Sequence, residues 1–141
     1  MKLIIRPATD KAFAETLTRQ NMSAYYAQLD MRWDEALFEK GWRELDNYEL
    51  VVDGSTVGIL RLSRDENAYY IRELQIQQQW QCYGLGSQAI RFAIESTQQA
   101  NIKLLRLRVF CTNPARALYE RMGFRIRKTE GGMHYMERSV C

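Results

Sequence analysis

The chain has 141 residues, 46% of them hydrophobic and 26% charged, with a formal net charge of +3 spread among acids. Those values predict a single globular domain, residues 1–141, with one core; the dispersed charge suits an anionic small ligand, and no nucleic-acid partner is expected without a basic stripe. No window reaches the roughly 18 apolar residues of a membrane span, and Met1-Lys-Leu-Ile-Ile-Arg-Pro has too short an apolar run for a signal peptide, so a cytoplasmic protein with no membrane partner is expected.

Leu3 to Arg6 predicts a short opening strand, stopped by Pro7, which cannot donate to a ladder. Thr9 or Asp10 caps a helix running to about Met22, with Phe13 and Leu17 on one side. A second helix covers Arg32 to Leu45, where Trp33, Leu37, Phe38, Gly41, Trp42 and Leu45 recur at three and four. Glu49–Val52 and Val57–Leu62 flank Asp53-Gly54, the strongest short-range hairpin signal. Tyr69 to Gln77 is a further strand, rich in aromatic and β-branched residues.

A helix then runs from Leu85 to about Gln99, its inner stripe being Leu85, Ala89, Phe92, Ala93 and Thr97; a strand follows over Leu104–Phe110. Asn113-Pro114 opens a short helix, since Asn caps well and Pro is favoured at the first helical position, and Gly123 closes it. Phe124–Lys128 and Met133–Arg138, joined through Gly131-Gly132, form a closing hairpin. The order is βααβββαβαββ. Strand, helix, strand around residues 69–110 demands a crossover and a parallel pair, so the prediction is a mixed α/β sheet with helices on both faces.

Cys82, Cys111 and Cys141 are odd in number and lack metal-ligand spacing, so reduced, packed thiols are expected, with neither a disulfide framework nor a metal site. The most informative segment is Gln81-Cys-Tyr-Gly84-Leu-Gly86-Ser87, directly before a helix. Its glycines let the backbone turn tightly and approach a ligand, and a helix N-terminus offers unpaired N–H groups to phosphate. Ala89 stands where a dinucleotide fingerprint has its third glycine, and the Gly-Lys-Ser/Thr of a nucleoside-triphosphate loop is absent. A plain strand–turn–helix connection is the alternative.

Gln-x-x-Gly-x-Gly, followed about 27 residues later by Asn113-Pro-Ala-Arg-Ala-Leu-Tyr-Glu-Arg-Met-Gly-Phe124, resembles the GNAT superfamily of acyl-CoA-dependent N-acyltransferases. The likeness spans nearly the whole chain and extends to the element order; Ile-Arg-Pro-Ala-Thr-Asp and His134-Tyr-Met-Glu-Arg138 are similar to one branch of small bacterial members. The resemblance implies a mixed, mostly antiparallel central sheet and acetyl-CoA as co-substrate. It implies that the amides of Cys82, Tyr83, Gly84, Leu85, Gly86 and Ser87 hold the CoA pyrophosphate, with Gln81 opening the cofactor-binding turn. Leu74, Gln75 and Ile76 would lend main-chain groups to the pantetheine arm and thioester, with the Leu104–Phe110 strand splaying away, and Asn113 would contact CoA or serve only as a cap.

Tyr119 falls where many members place a tyrosine beside the CoA sulfur; the alternative is a core tyrosine. A free thiol has a pKa near 8.5, so its thiolate is a good leaving group that a phenol can protonate. Glu73 and His134 are the candidate bases for the amine proton, against a surface salt bridge of Glu73 with Arg72 or Arg108 and a structural role for the single histidine. Acceptor recognition would fall on Tyr25, Tyr26, Trp33, Asp34, Trp42 and His134, aromatics and a carboxylate that suit a cationic amine, although both tryptophans also have core spacing. The implied activity is acetyl transfer to a primary amine, most simply of a small molecule. A non-catalytic acyl-CoA sensor and a protein or peptide N-acetyltransferase are the rivals, and a homodimer stays open.

Overall fold

The structure is a computed structural model that describes residues 2–140; Cys141 lies outside them. The predicted order of elements is found: β1 (Leu3–Pro7), α1 (Lys11–Gln28), α2 (Glu35–Glu44), β2 (Asp46–Val52), β3 (Ser55–Arg64), β4 (Tyr69–Ile76), α3 (Leu85–Gln99), β5 (Leu104–Phe110), α4 (Ala115–Arg121), β6 (Arg125–Glu130) and β7 (Met133–Ser139). A single 3₁₀ turn at Gln78–Trp80 was not foreseen.

The strands form one sheet in the order β1-β2-β3-β4-β5-β7-β6. Every neighbouring pair is antiparallel except β4 with β5, so the fold is the expected mixed, mostly antiparallel α/β sheet. Side chains alternate across a strand, and β3 shows the result. Ile59 joins Ala14, Leu17 and Phe38 in a small core beneath α1 and α2, whereas Leu60 and Leu62 enter the larger core beneath α3 and α4. That larger core takes Leu85, Ala89, Ile90, Ala93 and Ile94 from α3 and Tyr119 from α4. Phe92, expected on the inner stripe, is only partly buried.

Two boundaries moved for local reasons. α1 continues to Gln28 rather than about Met22: no Gly or Pro interrupts it, and its last turns are fixed by Tyr25 and Tyr26 packing on Phe110 at ring distances of 5.6 and 5.8 Å. Tertiary packing of this kind, more than propensity, sustains a helix. α2 starts at Glu35 rather than Arg32, because the Asp34 carboxylate accepts from the Leu37 amide at 3.0 Å and caps it.

The hairpin turns are as their residues require. Asp53 and Gly54 have φ of 51° and 81°, and Gly131 and Gly132 have 59° and 79°, the paired positive values of the two-residue turn that matches strand twist. α4 ends with Phe124 N–H bonding Tyr119 O and Gly123 N–H bonding Glu120 O, and Gly123 sits at φ 93°. This is the Schellman pattern, and it holds Tyr119 in place. Gly123→Ala puts a Cβ at a left-handed position and 3.3 Å from Arg138 Nη1, and is expected to lower stability by about 1–2 kcal/mol in urea melts.

The feature that positions a site is the partial union of β4 and β5. Their parallel pairing runs only from Tyr69↔Leu105 to Ile71↔Leu107. Beyond it the C-terminal half of β4 has a partner on the β3 side alone, so a gap opens between the two strands.

Candidate active site

The open side of β4 is set by strand alternation. Gln77 N–H bonds Val57 O at 2.8 Å and the Gln75 carbonyl faces Gly58 of β3, so Leu74 and Ile76 turn their main-chain groups toward the gap. Gln75 turns its own to β3, and its side chain instead reaches α1, where Asn21 Nδ2 donates both to Gln75 Oε1 and to Ile76 O at 3.0 Å. Gln81 Nε2 also donates to Ile76 O at 3.0 Å, tying the loop after β4 to the strand end.

That loop forms the N-terminal turn of α3. Cys82 and Gly84 adopt φ of 68° and 80°, and Gly84 is the N-cap with no side-chain hydrogen bond and no acidic residue in the first turn. The first intrahelical bond from here is Gln88 N–H to Gly84 O, so the amides of Leu85, Gly86 and Ser87 lack helical acceptors. Gly84 needs its glycine for its dihedral, since a Cβ there would meet nothing within 4 Å. Gly86 needs it for packing: a Cβ would come 3.0 Å from Leu118 Cδ2, so α3 and α4 touch at this point. Tyr83 is exposed and its ring lies 6.2 Å from that of Trp80.

From the α4 side, Tyr119 enters the core at 8% exposure, its ring edge-on to Phe124 at 5.8 Å. Its hydroxyl makes no hydrogen bond among the described residues. Burial, and next the charge of Glu73, hold the phenol proton more firmly than usual. Asn113 Oδ1 accepts from Ala115 N–H at 2.9 Å and so caps α4 from one residue further out than expected; the N-cap position itself is Pro114.

Glu73 lies on the opposite face, under α1. It accepts a hydrogen bond from Gln75 Nε2 and has no ion pair among the described residues, so neither Arg72 nor Arg108 is its direct partner; Arg72 bonds Ser63 Oγ and lies over the Tyr70 ring. Burial raises the carboxyl above the usual glutamate range, offset in part by the Gln75 bond and by the charges of Arg61 and Arg108. Tyr26 senses the same group: burial first, then Glu73, push its phenol up to about 12. Glu73 and Tyr119 thus lie on the two faces of the sheet, and the charge of Glu73 acts on the Tyr119 phenol.

The remaining expected residues are divided. Tyr26 stands beside this centre, 6.3 Å from the Trp33 ring and 5.8 Å from Phe110. Trp33 and Trp42 flank Phe38 at 5.5 and 6.5 Å in the small core, and Trp33 Nε1 donates to Glu15 and Glu35. Asp34 is occupied as a helix cap. His134 is opposite Val109 in the β5–β7 ladder and shares the α4 face, where its ring nitrogens contact Thr129 Oγ1 at 2.7 Å and Arg116 Nη1 at 3.3 Å. It therefore sits across the sheet from Glu73, one strand removed from the gap.

Sequence reading missed Arg61, which is 6% exposed beneath α2 with its Nε bonded to Asn47 Oδ1 at 2.7 Å. The signal was a charge inside the apolar run Val57–Leu62, in phase with Ile59. Cys82 and Cys111 are free and exposed rather than packed, because both fall in turns. No cluster of metal-ligand type occurs among the described residues, and no helix there is long and apolar enough to cross a membrane. A separate cleft of about 720 Å³, lined by Arg91, Arg121, Arg125, Arg127 and Arg138, lies at the far end of α4, away from the gap.

No curated protein sequence matches the chain. Among solved structures, the PaiA N-acetyltransferase of Thermoplasma acidophilum in complex with coenzyme A superposes at a TM-score of 0.79 with 18% identity over 99% of both chains. The Bacillus subtilis acetyltransferase in complex with CoA gives 0.79 and 15% over 99% of this chain and 100% of that one. The ribosomal-protein-S18-alanine N-acetyltransferase of Escherichia coli gives 0.72 and 18%, covering 99% and 94%. At these identities the likeness is one of fold. A family model described as Acetyltransferase (GNAT) domain matches residues 13–135. A match over that span of a 141-residue chain means that this protein belongs to the GNAT acetyltransferase family.

Proposed function

We propose that residues 1–141 act as one acetyl-CoA-dependent N-acetyltransferase that moves an acetyl group to a primary amine of a small molecule in a ternary complex. The observation that supports this is the early end of the β4–β5 pairing, with Glu73 on β4 just past it and close enough for its charge to act on the buried Tyr119 phenol. The uncapped amides of Leu85, Gly86 and Ser87 suit the CoA pyrophosphate, with Gln81, Cys82, Tyr83, Gly84 and Asn113 shaping that turn and its neighbour. Leu74 and Ile76 present main-chain groups on the open side of β4, where an N–H can polarise a thioester carbonyl. Acetyl-CoA supplies the activated acyl group and a thiolate leaving group. Glu73, held above the usual carboxylate range, takes the amine proton directly or through water, and Tyr119, firmly protonated, gives its proton to the departing sulfur.

His134 acts in this reading through Arg116 and Thr129 rather than as the base. Tyr26 lines the acceptor side, while Trp33 and Trp42 shape it from the core. The closed aromatic packing from Tyr26 through Trp33 and Phe38 to Trp42 favours a compact acceptor over a peptide groove.

Initial velocities at varied acetyl-CoA and acceptor test the mechanism: intersecting reciprocal plots are expected, and parallel plots with a covalent acetyl-protein would overturn direct transfer. Gly84→Val is expected to weaken CoA binding at least tenfold in calorimetry, because a β-branched residue at φ 80° distorts the turn although its Cβ meets nothing within 4 Å. Gly86→Val clashes with Leu118 and is expected to lower the melting temperature as well, which separates the two glycines.

A further inference from the structure

Arg61 is a buried cation without an anion. Its Cζ lies 4.8 Å over the Phe38 ring and its Nε bonds Asn47, yet it forms no ion pair among the described residues. Nη2 is enclosed with no hydrogen-bond partner; Nη1 has no partner either and is not enclosed. The site is built around this guanidinium. Asn47 Nδ2 donates to the Gly41, Trp42 and Leu45 carbonyls at the end of α2, fixing the acceptor of the Arg61 bond. A Cβ at Gly41 would fall 2.6 Å from Nη2, so that glycine makes room for the group. An uncompensated buried charge is costly, and desolvation weakens the hold of Arg61 on its proton.

Arg61 is opposite Glu73 in the β3–β4 register. Glu73 is influenced by Arg61 and Arg108, and Tyr26 by all three, but none of these groups pairs directly with another. The buried Arg61 and the exposed Arg108 thus stand near one carboxylate and a neutral phenol, an excess of one positive charge with the buried guanidinium at its centre. An acceptor bearing only an amine would arrive as a cation and enlarge that excess. One bearing a carboxylate as well would cancel it, and the unenclosed Nη1 of Arg61 can donate to a carboxylate oxygen.

We propose that the acceptor is a small amino acid-like molecule, whose carboxylate is bound by Arg61 with Arg108 nearby while its amine faces Glu73. This rests on the transferase reading above. The ammonium first loses one proton to water through Glu73; the neutral nitrogen then forms the C–N bond at the acetyl carbon as the C–S bond breaks and gives its second proton to Glu73, the thiolate takes one from Tyr119, Glu73 returns a proton to Tyr119 through water, and the carboxylate is unchanged. Asp34, expected to hold a cationic amine, caps α2 through one oxygen, and Arg61 adds the opposite charge to the acceptor side.

The test is thiol release from acetyl-CoA with amino acids, each paired with its decarboxylated amine. The wild type is expected to favour at least one acid over its amine by about 100-fold in kcat/KM, as sites built to bond a polar group reject analogues lacking it. Arg61→Met should bring that ratio to within a few-fold by raising KM for the acid, with CoA affinity unchanged, and Arg61→Lys should recover part of it. Equal or better use of the amines by the wild type, or a preference that survives in Arg61→Met, overturns the proposal. If neither class releases thiol, the transferase reading itself fails. Melting shifts in the presence of CoA then decide for Arg61: stabilisation by amino acids and not by their amines supports it, and no difference between them refutes it.

Discussion

Tyr119→Phe is expected to lower kcat by about 100-fold or more, the range assigned to a lost general acid, with the KM for acetyl-CoA nearly unchanged. The ring would keep its place, since Phe124 packs against its edge and the Schellman turn anchors its backbone. The lost hydroxyl bonds nothing among the described residues, so no partner is orphaned and the melting temperature should hold or rise. Because burial and Glu73 both strengthen the phenol's hold on its proton, the acid stays loaded through neutral pH. The kcat profile should therefore show no alkaline fall from Tyr119 below the ordinary phenol range. A variant that matches wild-type turnover would return Tyr119 to the core.

Glu73→Gln carries the second large effect, and it separates catalysis from stability. As base, Glu73 must be ionised, and its carboxyl titrates above the usual glutamate range because burial outweighs the help of Gln75, Arg61 and Arg108. Activity should fall as pH drops through that raised value, and the variant should lose both this limb and about 100-fold or more in kcat. Stability has the opposite sign. The folded protein binds the Glu73 proton more tightly than the unfolded chain does, so this group destabilises progressively as pH rises from the ordinary glutamate value through the raised one, and fully above it. Glu73→Gln should accordingly melt higher than the wild type at neutral pH and converge with it in acid. A lower melting point at neutral pH would mean that the carboxylate is paired rather than strained.

Much of this was legible in the chain because local rules decided it. Asp53-Gly54, Gly131-Gly132 and Gly123 each impose a left-handed backbone that fixes a turn regardless of context. The periodicity of α3 and the β4–α3–β5 crossover gave a parallel pair, while the parting of the two strands came only from the family resemblance. What stayed hidden depends on facts beyond sequence distance. Strand phase decides that Gln75 turns its main chain away from the gap while Leu74 and Ile76 face it. The length of α1 follows from Tyr25 and Tyr26 meeting Phe110, a contact across more than eighty positions. His134 was placed correctly in the last strand, but the face it takes is set by its register opposite Val109. Arg61 illustrates the limit best: one charge in an apolar run is visible, yet its missing partner is a property of the assembled interior.

The most direct measurement is thiol release from acetyl-CoA by the wild type, Tyr119→Phe and Glu73→Gln across amines and amino acids, with CoA affinity determined on the same samples. Proteins that bind CoA alike, with acceptor-dependent release in the wild type and about 1% of it in each variant, are the predicted result. Normal CoA binding with no acceptor raising wild-type release above background would contradict the account and leave a protein that binds acyl-CoA without transferring it.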